Sequence, residues 1–149
     1  MEIKRSDLKL DKFTMLACNF ATIPSDKKVT SEMLKNIPID LDFDILTNKK
    51  NSSKVKIVLE FNSNISENPE PGYMFSTVAE AEYNIKGLGK MTEEKQNRYI
   101  LFTALPLAIA MVRSHLYSVS SNFPYGHYLM PSIDLPDLFK KKFNEGQQN

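Results

Sequence analysis

The sequence predicts an α+β domain: a four-stranded antiparallel sheet with a long crossover after strand 1, followed by one long and one short helix. Three observations lead there. Four segments alternate apolar and polar residues with a period of two, the pattern of strands that face a core on one side only. All four precede the stretch of helical composition, so strands come first and helices afterwards. At 149 residues, with 42% hydrophobic and 25% charged, the chain has the material for one ordinary hydrophobic core.

The first strand spans 8–20. Its apolar positions run Leu8, Leu10, then Phe13, Met15 and Ala17, and the change of phase across Asp11-Lys12 predicts a β-bulge. The second, 39–45, alternates without a fault, and the third sets Val55, Ile57, Leu59 and Phe61 on one face. In the fourth, 73–85, Tyr73, Phe75, Thr77, Ala79, Ala81, Tyr83 and Ile85 share a side. Segments 47–53 and 62–72, rich in Asn, Ser, Pro and Gly, read as hairpin turns. The first connection, 21–38, is longer and carries a possible helix N-cap at Ser31 with apolar Met33, Leu34 and Ile37. After Gly87-Leu88-Gly89, Thr92 followed by Glu93 and Glu94 opens a helix that runs to about residue 121. Asp134 caps a short helix over 135–143. The whole of 1–149 reads as a single domain, with its core in 7–143 and a short polar tail at 144–149.

With 19 Lys+Arg against 18 Asp+Glu, the charge of +1 gives no electrostatic surplus for phosphate backbones, and no nucleic-acid partner is expected. The lone Cys18 excludes an internal disulfide and suits a reducing, cytoplasmic setting. The N-terminus lacks the apolar core of a signal peptide. The longest apolar stretch, 99–112, is interrupted by Thr103 and Pro106 and falls short of the roughly 18–20 residues that cross a bilayer, so no membrane insertion is expected.

That stretch is apolar all the way round, whereas a helix lying on one sheet needs an apolar stripe of only about 100°. In so short a chain a second copy is the economical cover, which predicts an oligomer with Tyr99, Phe102, Leu105, Ile109, Met111 and Val112 at its interface.

No catalytic constellation emerges, and the expectation is a protein that is not an enzyme, with no metal and no cofactor. Asp40, Asp42 and Asp44 lie about 6.6 Å apart along one strand face and cannot converge on an ion. Cross-strand pairing with Lys54 and Lys56 explains them better. Cys18 has no nucleophile signature around it to go with His115 or His127. Gly87-x-Gly89 lacks a third glycine and reads as a turn. What stands out is apolar loop surface: Met33, Leu34 and Ile37 in the crossover, and Phe123, Tyr125, Tyr128, Leu129 and Met130 after the long helix, side chains suited to irregular partners.

The C-terminal third carries Ile100-Leu101-Phe102, Pro106, Arg113-Ser114, Phe123-Pro124, Leu129-Met130-Pro131 and Asp134-Leu135-x-x-Leu138-Phe139. This run resembles the SecB export chaperones, whose last portion is an apolar helix, a Phe-Pro loop, an apolar-x-Pro step and a short helix ending in Leu-Phe. The order of elements agrees over nearly all of 7–143. The resemblance implies a homotetramer, a dimer of dimers, that acts as an ATP-independent holdase for unfolded or precursor polypeptides in Sec-dependent export. It implies a client groove at the positions Met33, Leu34, Ile37, Tyr125, Tyr128, Leu129 and Met130. Members of the family engage the SecA ATPase through acidic surface and a C-terminal tail, whereas this chain is near neutral and closes on Lys140-Lys141-Lys142-Phe143 and six further residues, which sets it apart on that point. Relatives that serve toxin-antitoxin systems offer an alternative client. From another class, a hot-dog-like oligomer binding small ligands or thioesters also wraps a sheet round an apolar helix, but there the helix comes ahead of most strands.

Overall fold

The computed structural model describes residues 2–145. Of the predicted polar tail, residues 146–149 lie outside the described residues. Four antiparallel strands, β1 (Leu8–Ile23), β2 (Ile39–Thr47), β3 (Lys54–Ser63) and β4 (Gly72–Ile85), form one sheet in the order β1-β4-β3-β2. The α+β architecture is therefore the predicted one. β4 sits inside the sheet and alternates without a break, and Tyr73, Phe75, Thr77, Ala79, Ala81, Tyr83 and Ile85 are all buried. Each large apolar side chain so buried contributes roughly 1.5–3 kcal/mol, which is what fixes the register.

β1 has the predicted bulge. Leu10 pairs with Tyr83 and Lys12 with Glu82, leaving Asp11 as the extra residue. A second irregularity falls at Leu16, between Met15 and Ala17. It reverses the phase again: Ala17 lies opposite Val78 on the outer face, against expectation, and Cys18 and Phe20 lie opposite Thr77 and Phe75 on the core side. The strand then continues to Ile23. The crossover that follows holds a short helix, α1 (Ser31–Lys35), whose cap is Thr30 rather than Ser31, its hydroxyl accepting the Met33 N–H.

The long helix runs without interruption over Glu93–Asn122, 30 residues, and is long and apolar enough to cross a membrane by length and composition. It is nonetheless the core helix of this fold. It comprises α2 (Glu93–Tyr99), a π-turn (Ile100–Ala104), α3 (Leu105–Val119) and a closing 3-10 turn (Ser120–Asn122). Pro106 accounts for the π-turn: with no N–H to give to the carbonyl a turn earlier, the chain widens, and Leu105 N–H bonds instead to Ile100 O. α3 lays Leu105, Ala108, Ile109, Val112 and Leu116 on the sheet.

That placement corrects the interface assignment. Leu105, Ile109 and Val112 are 0%, 5% and 0% exposed inside one subunit and are unavailable to another. Tyr99 and Met111 are half-buried, and Phe102 is exposed. The chain also covers more of this helix than expected. The last helix, α4 (Leu135–Glu145), brings Phe139 within 5.2 Å of Phe102 and 6.2 Å of Phe43, ring centre to ring centre, both edge-on. The apolar residues that stay open along the helix are Phe102, Leu107, Ala110 and Tyr117.

Candidate binding groove

The segment after the long helix is tied to the body of the protein by three side chains. The Tyr73 hydroxyl donates to Gly126 O at 2.7 Å and accepts the Tyr125 N–H at 2.9 Å. The Ser120 hydroxyl donates to Leu116 O and accepts the Tyr128 N–H at 2.7 Å. Arg113 donates through Nε and Nη2 to Met130 O, at 3.2 and 2.9 Å. The Tyr125 hydroxyl reaches Ile23 O at 3.2 Å and joins the segment to the start of the crossover.

Anchored in this way, the segment turns Tyr128 and Met130 inward. Tyr128 and Met130 are 1% and 0% exposed, and the Tyr128 ring packs against Tyr73 and Phe75. In the crossover, Leu34 and Ile37 are equally buried and press on Gly72. A Cβ there would lie 2.9 Å from both side chains, and φ at Gly72 is +139°, so glycine is required. Four of the seven positions assigned to a client groove are thus core. Met33 and Leu129 remain exposed and Tyr125 is half-buried. Burial pushes the Tyr83 and Tyr128 phenols up to about 12 and raises Tyr73 as well. These are groups held neutral in a core. Tyr73, Arg113 and Ser120 are the anchoring residues that the sequence did not single out for this role.

The groove the structure does form lies beside β2. This strand is a sheet edge, so half of its backbone groups have no strand to pair with. Which half follows from three contacts. Asn48 N–H bonds Lys54 O and Pro38 O accepts the Ser63 hydroxyl, so even-numbered residues turn their backbone toward β3. Phe43 N–H bonds the Asp42 side chain, so odd-numbered residues turn theirs outward. Ile39, Leu41, Phe43 and Ile45 therefore present the free edge. Facing it, α4 and the residues before it complete a cleft of about 700 Å3, with Ile39, Leu41, Ile133 and Leu138 as apolar lining and Asp40, Asp42, Asp137, Lys141 and Lys142 as rim. A second cleft of about 700 Å3 shares Ile39 and Asp40 and extends past Pro38 to Asn64, Ile65 and Glu70. Asn64, at φ +59°, braces that end by accepting the Glu70 N–H and donating to Glu70 O and Tyr73 O.

The rim charges pair differently from the expectation. Register places Asp42 opposite Glu60, Asp44 opposite Val58 and Leu46 opposite Lys56, because the turn over 48–53 sets Thr47 against Val55. Lys56 consequently reaches Glu80 and Glu82 of β4, at 2.8 and 3.3 Å, and Asp42 and Asp44 take Lys142 of α4, at 2.5 and 3.7 Å. Desolvation works to raise the Asp42 carboxyl. Hydrogen bonds from Lys142 and the Phe43 N–H, with the Lys142 charge, outweigh it and hold the group below its ordinary value. The bond to Asp42 in turn raises Lys142. Among the described residues no three His, Cys, Asp or Glu side chains gather as a metal-holding group. Cys18 is exposed on β1, desolvation raises its thiol, and the cleft beside it contains no imidazole. His127 instead stacks on Tyr117 at 4.1 Å. Gly87, at φ +79°, makes the predicted turn into a 3-10 segment.

Sheet order and element order define a class of fold, and comparison with a solved structure agrees on it. The chain is similar to the SecB-like chaperone Rv1957 of Mycobacterium tuberculosis, solved in complex with a ChAD peptide from the antitoxin Rv1956 HigA1, with a TM-score of 0.55 and 12% identity over 85% of this chain and 91% of that one. This chain has the SecB-like fold. A protein of unknown function from Streptococcus agalactiae is also similar, at a TM-score of 0.46 and 10% identity over 87% of this chain and all of that one. No protein-family model and no curated protein matches the sequence.

Proposed function

We propose that the protein is a holdase chaperone, acting without ATP and without catalysis, that binds non-native polypeptide segments in extended form along the β2 edge. The observation that carries this reading is the coincidence of unpaired edge backbone at Ile39 and Leu41 with a cleft, walled by α4, in which a short apolar strip of Ile39, Leu41, Ile133 and Leu138 lies within a charged and polar rim. Main-chain bonds to such an edge give affinity for any sequence, and the apolar strip rewards hydrophobic side chains, the combination a promiscuous binder needs. Clients in this reading are export precursors. A second client class, antitoxins, is favoured by the peptide bound to the similar mycobacterial chaperone. The proposal further puts the protein in the cytoplasm as a homotetramer built on Phe102, Leu107, Ala110 and Tyr117, with SecA as the downstream partner of the export reading. A monomer by light scattering at micromolar concentration contradicts the tetramer.

The test of function is suppression of aggregation of a chemically unfolded model protein without nucleotide. The wild type should suppress it at near-stoichiometric ratios, and Leu41→Asp should lose most of that activity while staying folded. No suppression by the wild type, or full suppression by a folded Leu41→Asp, contradicts the proposal.

A further inference from the structure

We infer that Asp42 and Lys142 form a latch that limits how far a client strand can pair along β2, so that this pair sets the length of segment the groove accepts. The inference rests on the β2-edge reading above and adds a residue-level control to it. A strand laid on β2 must bond the outward backbone groups of Ile39, Leu41, Phe43 and Ile45 in turn. At Phe43 the donor is already spent, its N–H bonded to Asp42 Oδ1 at 2.8 Å. The same oxygen holds Lys142 Nζ, and that ammonium lies 5.6 Å above the Phe43 ring, so α4 is drawn over the strand at this residue. Phe43 is 4% exposed beneath this cover. Two residues earlier the edge is open: among the described residues no side chain bonds the Ile39 or Leu41 amide.

A client strand therefore pairs freely over 39–41, extends past Pro38 into the adjoining cleft, and stops at Phe43 while the latch is closed. Opening it frees the Phe43 donor and lengthens the edge to Ile45. The latch suits this task because it is weak: Asp42 is exposed and solvent screens the pair, so it can break without loosening the domain. A mere brace for α4 needs no bond to a strand N–H. The α4 contacts of Phe139 with Phe43 and Phe102 provide bracing without it.

The experiment compares wild type, Asp42→Ala and Lys142→Met, using two acetylated peptides that alternate leucine and threonine, of about five and about nine residues, with affinities by calorimetry and backbone amide exchange by NMR. In the wild type the longer peptide should bind within about threefold of the shorter, since the added residues meet a blocked donor. In Asp42→Ala the Phe43 amide should exchange fast when free and become protected on binding, with the longer peptide preferred by about tenfold or more, the return on two further net hydrogen bonds. Asp42→Val, which likewise removes the acceptor from the Phe43 N–H and suits a strand, should give the same result and carries the test if Asp42→Ala fails to fold, whereas Lys142→Met, which leaves the Asp42–Phe43 bond but removes the ammonium that holds Asp42, should move the ratio part of the way. Protection at Leu41 with an unchanged length ratio in the folded Asp42 variant overturns the latch and leaves the groove standing. No protection at Leu41 from either peptide overturns the groove, and the latch with it.

Discussion

Ile37 and Ile39 are separated by one residue, Pro38, and Met130 and Ile133 by two, Pro131 and Ser132, yet each pair divides between different regions of the molecule. Ile37 and Met130, with Leu34 and Tyr128, are sealed in the core. Ile39 and Ile133, with Leu41 and Leu138, line the cleft between β2 and α4. The two sets have the same apolar character. What separates them is where the backbone is held. Ser63 fixes Pro38 O, and Ser120 and Arg113 fix the backbone of Tyr128 and Met130, so residues before each proline face inward, whereas those after it follow a free strand edge or the approach to α4. Apolar loop composition is thus poor evidence for an accessible surface, since four of the seven loop positions are core.

Substitutions sharpen this division. The largest effect is expected for Tyr128→Ser, which empties a site against Tyr73 and Phe75 and should lower stability by about 3–5 kcal/mol, read by chemical denaturation, with holdase activity per folded molecule kept. Next comes Tyr73→Phe, which keeps the ring and strips the hydroxyl from the Tyr125 N–H and Gly126 O; about 1–3 kcal/mol should be lost. Leu41→Ser should be the mildest for the fold, about 1 kcal/mol from a half-buried side chain, and the most damaging for client binding. If Tyr128→Ser spares stability and abolishes suppression while Leu41→Ser does the reverse, the division between the two regions is the opposite of the one drawn here.

Much of the fold was legible in the sequence because periodicity reports burial directly. The interior strand β4 and the bulge at Asp11 were visible, since polar residues mark the phase there. The irregularity at Leu16 was hidden because Leu16-Ala17-Cys18 is apolar throughout and has no parity to break. The π-turn was hidden likewise, in an apolar run where Pro106 reads only as an interruption. The hairpin register depends on how many residues the 48–53 turn consumes, which composition does not report, and so the partners of Asp42 were misassigned. The site was less legible than the fold. The resemblance assigned the groove to the crossover and to the segment after the long helix, and telling which of their side chains are core required the long-range bonds of Tyr73, Ser120 and Arg113, each joining residues far apart or on different turns.

The most direct measurement is amide hydrogen exchange of the protein with and without a bound, permanently unfolded model polypeptide. Added protection at Ile39 and Leu41, together with slowed exchange in α4 around Leu138, is the result predicted for a client laid along β2. Protection confined to residues around Met33, Tyr125 and Leu129, with β2 unchanged, would contradict it and return the client site to the crossover.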